Sequence, residues 1–451
     1  MRCECLILAA GLGKRMKSML PKVLHPVGGR PLLAWALEAC RGATGIEPAL
    51  VVAPGMDEIL RKAGLGKRFV VQKERLGTAH AVMQAADELR GQGDLLLVVN
   101  GDMPLLEAAT LRRLIEAQEA HAGAFTLLTV HGDEARGFGR LQRDERGQVI
   151  AIVEEADATS EQLALREFNV GAYCFRSEWL WESLAKLEVS AQGEYYLTDL
   201  VALAVKEERS VATVEVADPD EAIGVNTREH LAQVEAVLRG RVNRKWMLAG
   251  VTLQDPATTY IGPQVEIGQD SVILSGTHLE GGTVIGAQCQ LGPNTIVCAS
   301  RIGDRCRVSA SVLEEATLED DVDVGPFAHL RKGAHLCRGV HMGNFGEVKN
   351  SIVGAGAKLG HFSYLGDATI GEGVNIGAGT ITCNYDGERK FHTEIEEGAF
   401  IGSDTMLVAP VRIGRGARTG AGAVVTKDVP PWSVAVGIPA RVIRKLKESD
   451  D

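Results

Sequence analysis

The first apolar run of the chain ends in Leu8-Ala9-Ala10-Gly11-Leu12-Gly13-Lys14-Arg15-Met16. Glycines in such a loop let the backbone approach a ligand, and its N–H groups can hold phosphate oxygens. Arg15 adds a bidentate cation, and Lys22 in Leu20-Pro21-Lys22-Val23-Leu24 adds a second positive charge. Taken alone, the loop reads equally well as an ordinary strand–helix turn. It lacks the third glycine of a dinucleotide fingerprint and is not a Walker loop. Asp102 follows the apolar run Leu95–Val99, so its carboxylate belongs at the carboxyl edge of a sheet. A hard oxygen ligand in that place suits Mg2+. In the second half, Gly360-His361-Phe362-Ser363-Tyr364-Leu365-Gly366-Asp367 presents an imidazole. That ring can take a proton near neutral pH, although an isolated histidine is more often simply hydrogen-bonded. His329, His335 and His341 recur every six residues and invite a metal reading.

Two kinds of element must position these residues. Up to about residue 225, short aliphatic runs (Cys5–Ala10, Ala49–Ala53, Leu95–Val99) alternate with helix-like stretches such as Pro31–Ala43 and Thr78–Leu89. This alternation predicts an α/β domain with a mainly parallel sheet, which binds ligands beyond the carboxyl ends of its strands. Residues 227–248 are polar with a helical period, Leu231, Val234, Val237 and Leu238 sharing one face, and predict a linker helix. From Tyr260 an aliphatic recurs every sixth residue: Ile261, Ile267, Ile273, Leu279, Ile285, Leu291, Val297. The period returns at Leu318–Val348 and again through Ile401, Leu407, Ile413, Thr419, Val425 and Pro431. Neither a helix nor a simple strand has this period, whereas a β-helix does. Residues 382–400 break it and are expected to form an excursion loop. The expected domains are thus 1–226, the linker helix 227–248, and a β-helix over 249–451.

Composition bounds the function classes. The 451 residues are 45% apolar and 24% charged, as in a globular protein of two or three domains. A formal charge of −11 argues against generic binding to nucleic acid or an anionic membrane, so a phosphorylated substrate must find its cations locally. The start, MRCECLILAAG, is not a basic leader before a long apolar run, and no stretch is long enough to span a bilayer. Nine cysteines without a CxxC pair fit reduced thiols. A cytoplasmic protein is expected.

The loop LAAGLGKRM followed by LPKVLHPVGGRPLL resembles the sugar-phosphate nucleotidyltransferase family. Gln72 with Leu76-Gly77-Thr78-Ala79-His80, Asn100-Gly101-Asp102-Met103-Pro104, Gly137-Phe138-Gly139-Arg140, Val153-Glu154, Asn169-Val170-Gly171 and Gly224-Val225-Asn226 extend the likeness over the first half. The resemblance implies a Rossmann-like fold and a Mg2+ site at Asp102 and Asn226. It implies nucleotide contacts at Leu8, Ala9, Ala10, Gly11, Lys22, Gln72, Gly77 and Thr78, sugar contacts at Gly139, Glu154 and Asn169, and catalytic roles for Arg15 and Lys22. Asn100 departs from the aromatic found in some members, which concerns base or ribose contacts. Uridylyl transfer needs charge neutralisation on a triphosphate and in-line placement of a sugar-phosphate oxygen, which these residue types suit.

The strings GHFSYLGD, VNIGAG and TCNYDG resemble the acetyltransferase half of bifunctional N-acetylglucosamine-1-phosphate uridylyltransferase/glucosamine-1-phosphate N-acetyltransferases. That family implies a left-handed β-helix of hexapeptide repeats, a homotrimer, and His361 as catalytic base, with Glu347 a candidate to orient it. It implies acceptor contacts at Arg331, Lys349, Tyr364 and Asn375. Acetyl-CoA is implied near Ala378, Ser403 and Ala421, with Asn384 and Tyr385 closing the site. The family makes UDP-N-acetylglucosamine from glucosamine 1-phosphate, acetyl-CoA and UTP for peptidoglycan and lipopolysaccharide. If three hexapeptides make one coil, Arg331 and Lys349 stack on adjacent coils. Neighbouring like charges there call for an anion between them, and a sugar phosphate would serve. The same arithmetic sends His329, His335 and His341 to three different faces, so no zinc site is expected of that trio. Two rivals remain: a nucleotidyltransferase of other sugar specificity with a structural β-helix, and a non-catalytic scaffold. His361, Lys349 and Arg331 speak against the first. Arg15, Lys22, Asp102 and His361 together speak against the second.

Overall fold

The computed structural model describes residues 1–133, 137–154, 158–190 and 192–447. The chain divides into two compact units, Met1–Leu238 and Arg239–Asp451.

In the first unit, Leu95–Asn100, Cys3–Leu8, Ala49–Val52 and Arg68–Val71 lie side by side and parallel. The first three are mostly apolar because both faces of the sheet are covered, and the buried Glu4 among them is paired with Arg68. The other side of the sheet is mixed. Glu167–Arg176 runs antiparallel to both Leu95–Asn100 and Phe125–His131, and Val211–Glu215 lies parallel at the edge. A register shift between Asn169 and Tyr173 marks a bulge, a common device for re-aiming a side chain. The stretch expected as one helix over 78–89 is two, Thr78–Met83 and Ala86–Leu89. The Ala85 N–H bonds to the Val82 carbonyl, three residues back, and tightens the chain between them.

The linker helix forms over Arg228–Leu248. Leu231, Val234, Val237 and Leu238 pack with Met16, Val27, Leu32 and Leu105 of the first unit. Within the second unit, Val242 and Trp246 pack on the β-helix core.

That core is a column of inward side chains ringed by three parallel sheets of short strands. Each strand pairs with the strand one coil later, as in Val272↔Gln290↔Arg307↔Asp323↔His341. The inward aliphatics of the first two runs are all buried. Between Val297 and Leu318 the inward positions are Ile302, Val308 and Leu313. Three of those four steps are five residues rather than six, which is why the period lapses there.

Two expectations need correction. Pro431 is exposed, and the inward place belongs to Val429, which bridges to Ile413. The excursion is narrower than 382–400. Thr382, Thr393, Ile395 and Ala399 are buried in the coils, so it spans 384–392, pinned by a Tyr385–Lys390 bridge. Thr382 is tolerated inside because its hydroxyl donates to the Gly366 carbonyl at 3.1 Å. No helix among the described residues is long and apolar enough to cross a membrane.

Candidate active sites

Two adjoining cavities open at the carboxyl edge of the first sheet. The smaller, about 560 Å³, is walled by Leu8, Ala9, Ala10, Gly11, Lys22, Gln72, Gly77 and Thr78. The larger, about 840 Å³, holds Arg15, Glu154, Asn169 and Asn226. Asp102, Thr78 and Asn100 line both. Gly139 sits against Glu154: a Cβ built on it would stand 3.3 Å from Glu154 Oε1. The structure therefore gathers every first-half residue singled out by the sequence around this double cavity.

Its floor is a three-way contact. The Lys22 ammonium donates to Asp102 Oδ2 at 2.5 Å and to Asn226 Oδ1 at 3.2 Å. Asp102 reaches this point from the end of Leu95–Asn100, and the Val225 N–H bonds its carbonyl, which brings Asn226 alongside. Gly13 lets the loop close on Lys22, since a Cβ there would lie 2.6 Å from the Lys22 Cβ. Two oxygen donors already converging on one cation are the donor set that Mg2+ takes, leaving its other positions to water and phosphate. The residues present fit that ion.

The smaller cavity has fixed polar edges. Gln72 is buried, and its Nε2 contacts the Gly77 carbonyl at 3.3 Å and His80 Nδ1 at 3.1 Å. Gly77 has φ +97°, and a Cβ would meet the Tyr195 carbonyl at 2.5 Å. In the larger cavity, Asn169 donates from Nδ2 to the Tyr173 hydroxyl (2.7 Å) and accepts from the Gly171 N–H (3.1 Å). Burial holds the Tyr173 phenol well above its ordinary range, so it stays protonated. Residue-type reasoning missed Arg75 and Tyr196. Arg75 ties the loop by donating from Nε to the Ala10 carbonyl at 3.2 Å. As a basic residue between Gln72 and Gly77 it could have been noticed. Tyr196 lines both cavities, and nothing in its local sequence marks it.

In the β-helix, His329–Leu330 pairs with Glu347–Val348, so Arg331 and Lys349 follow at the same level on adjacent coils. The Arg331 N–H bonds the Val348 carbonyl, which continues the ladder to this corner. Gly366 comes next below Lys349. A Cβ on Gly366 would touch the Tyr364 hydroxyl at 2.3 Å and Asn384 Nδ2 at 2.8 Å, so these two side chains converge over a bare backbone. Asn384 is held by Asp367 at 2.6 Å. Within the chain Glu347 pairs with Arg331 rather than with His361. Its Oε1 takes Arg331 Nη1 at 2.8 Å, and that hydrogen bond holds the guanidinium above its ordinary pKa.

His361 stands at the other end of this face, in the turn before Ser363–Gly366. One coil apart along its corner follow Ala378, Ser403 and Ala421, as the ladder Lys358↔Asn375↔Phe400↔Arg418 requires three residues on. Asn375 lies on that ladder. Tyr385 projects from the excursion and is exposed, its hydroxyl donating to the Gly387 carbonyl at 2.5 Å. The structure thus forms two groups: Arg331, Lys349, Tyr364 and Asn384 at one corner, and His361, Asn375, Ala378, Ser403 and Ala421 at another. Gly366 is five residue steps from His361, most of them in strand, roughly 16 Å at ~3.3 Å per residue. His329, His335 and His341 fall in three different sheets, paired with Glu314, Glu319 and Asp323 respectively.

Comparison with known proteins matches this division. Residues 5–239 match the MobA-like NTP transferase domain, and residues 392–427 match the bacterial transferase hexapeptide repeats. The chain is 46% identical over 444 residues to the bifunctional protein GlmU of Heliobacterium modesticaldum, covering 98% of this chain and 96% of that one. It is 49% identical over 453 residues to the bifunctional protein GlmU of Trichlorobacter lovleyi, covering 99% and 98%. An NTP transferase fold with a polar double cavity, followed by a left-handed hexapeptide β-helix, and matched at both ends by such relatives, places the chain in the bifunctional GlmU family.

Proposed function

We propose that the two steps of UDP-N-acetylglucosamine synthesis are divided between the two units, acetylation in the β-helix and uridylyl transfer in the α/β unit. The observation that carries this reading is the convergence of Lys22, Asp102 and Asn226 where two adjoining cavities share Asp102. In the first step the amine of glucosamine 1-phosphate attacks the thioester carbonyl of acetyl-CoA. His361 takes the amine proton, the C–S bond breaks, and the imidazolium returns that proton to the departing sulfur, so CoA leaves as the thiol. Arg331 and Lys349 hold the sugar phosphate, and Tyr364 and Asn375 orient the ring. The His361 corner, with Ala378, Ser403 and Ala421, holds the coenzyme, and Asn384 and Tyr385 cover it.

In the second step a phosphate oxygen of N-acetylglucosamine 1-phosphate attacks the α-phosphorus of UTP, and the bond to pyrophosphate breaks. Leu8–Gly11 cradles the phosphates, and Gln72, Gly77 and Thr78 receive the uracil. Gly139, Glu154 and Asn169 fix the sugar, while Arg15 and Lys22 neutralise charge that develops on the phosphates. Asp102 and Asn226 would hold Mg2+, which when bound supplies further charge neutralisation on the phosphate oxygens. Such an enzyme acts in the cytoplasm and supplies precursor for peptidoglycan and lipopolysaccharide. One assay with glucosamine 1-phosphate, acetyl-CoA, UTP and Mg2+ tests the reading: both CoA and pyrophosphate must appear, and absence of either refutes it.

Gly77→Ala gives a sharper test of the nucleotide pocket. The new Cβ needs a strained backbone and collides with the Tyr195 carbonyl, a strain of about 1–3 kcal/mol. The KM for UTP should rise roughly 5- to 150-fold, with acetylation unchanged. An unaltered KM would remove Gly77 from the pocket.

The two groups in the β-helix support an assembly of copies. In glucosamine 1-phosphate the amine and the phosphate sit on neighbouring carbons, yet His361 and the Arg331/Lys349 pair occupy opposite corners of one face. Apposing two copies brings unlike corners together, which supports a homotrimer built through the β-helix. The fragment 1–238, which keeps Val234 and Leu238 in their apolar cluster, should be folded, active in uridylyl transfer and monomeric. Sedimentation showing a trimer for that fragment would move the interface elsewhere.

A further inference from the structure

We propose that Glu319, His335 and Cys337 form a mononuclear site for a thiophilic divalent ion such as Zn2+, with three protein ligands and one position left to water. One carboxylate oxygen, one ring nitrogen and the thiol sulfur all lie within 4.8 Å of one another. A tetrahedral ion with bonds of about 2.0–2.3 Å needs donor atoms roughly 3.3–3.8 Å apart, so small rotations of these exposed or half-buried side chains complete the geometry. His335 Nε2 already contacts Glu319 Oε1 at 2.9 Å.

The fold explains why these three meet. His335 and Cys337 flank the inward Leu336, so both point outward from one edge of the strand Ala334–Leu336. Leu318 pairs with Leu336 one coil earlier, which sets Glu319 level with Cys337. At the same level the coils above and below carry Gly303 and Gly354, which add no side chain to crowd the ion. Glu319 has a second support, since its Oε2 accepts from the Arg338 N–H at 3.0 Å. Such outer contacts orient a ligand for metal. The Arg338 guanidinium is turned away, paired with Asp321 at 3.0 Å.

An O, N and S donor set selects for zinc-like ions over Mg2+, which prefers oxygen alone. On binding, the thiol proton is released to solvent and sulfur bonds the ion. The site lies in the third sheet of the β-helix, apart from the sheet that carries Arg331, Lys349 and Tyr364. Because its ligands come from two successive coils, an ion there staples them together.

The test uses the full chain, stripped of metal and kept reduced in the presence of Mg2+. Titration with Co2+ should give a thiolate-to-metal charge-transfer band saturating at one equivalent, and Zn2+ should displace it. Zn2+ should also raise the melting temperature of the β-helix. Cys337→Ser should remove the charge-transfer band, and His335→Ala should weaken Zn2+ binding by more than about tenfold. His341→Ala and Cys298→Ser serve as controls and should change neither. No thiolate band in the wild type, or a band that survives Cys337→Ser, would overturn the proposal. Both ligand positions are at least partly exposed, so these variants fold.

Discussion

Asp102→Ala should lose uridylyl transfer by on the order of 10³-fold and keep acetylation at the wild-type rate. The size follows from removing charged support at the reacting phosphates, worth several kcal/mol. The selectivity follows from Asp102 standing at a sheet edge in the first unit only. Asp102 and Asn226 are the two oxygens that now hold the Lys22 ammonium. Losing the carboxylate would therefore remove the proposed metal ligand and also free Lys22 to pair elsewhere. Asp102→Asn separates these effects, since it keeps an oxygen at the same place with no charge and should retain more activity than the alanine. Chelation with EDTA should stop the uridylyl step alone, and pyrophosphate and CoA release, followed in one reaction, read both steps. A variant that still forms the nucleotide sugar near the wild-type rate in Mg2+ would refute the assignment. So would loss of both activities on chelation.

The first unit was legible in sequence because its chemistry is local. Loop residues 8–15, the strand-end Asp102 and the Gly77 turn each sit in short strings whose type and order betray their position. Tyr196 was not legible, because it reaches the cavities through a segment with no periodic pattern. The β-helix was readable wherever its step is six residues. It faded between Val297 and Leu318 because five-residue steps are equally compatible with the coil, which needs only an inward aliphatic per face. Pro431 shows the limit of extrapolating a period. The coil shortens near its end, and Val429 takes the inward place. The stacking of Arg331 on Lys349 could be computed from spacing, since the coil from Leu330 to Val348 keeps three steps of six residues. The pairing of Glu347 with Arg331 could not, because it depends on which way a long side chain turns. The Glu319, His335 and Cys337 group escaped for a related reason. Glu319 and Cys337 stack by the same spacing, but whether three donor atoms converge depends on how the side chains turn.

His361→Ala should lower acetyl transfer roughly 10²–10⁴-fold, the usual range for removing a general base, and leave uridylyl transfer unchanged. The imidazole is exposed at a corner whose neighbours on the next coils are Ala378, Ser403 and Ala421. Small side chains there leave room for a thioester beside the ring. Arg331→Ala and Lys349→Ala should behave differently. Each removes a cation from a pair stacked on adjacent coils, so each should raise the KM for glucosamine 1-phosphate strongly. Glucosamine without its phosphate should be acetylated about as well by the variants as by the wild type. This contrast separates binding from structure, because a merely structural charge would lower thermal stability without discriminating between the two substrates. Arg331→Ala has one further consequence: it leaves Glu347 without its partner beside Lys349. The freed carboxylate would pair with Lys349 and compete with the sugar phosphate. The double variant Arg331→Ala/Glu347→Gln should therefore recover part of the lost affinity, which a direct and exclusive Arg331–phosphate contact would not allow. Full acetyltransferase activity in His361→Ala, or equal loss of both substrates in the cation variants, would sink the assignment of proton and phosphate to opposite corners of this face.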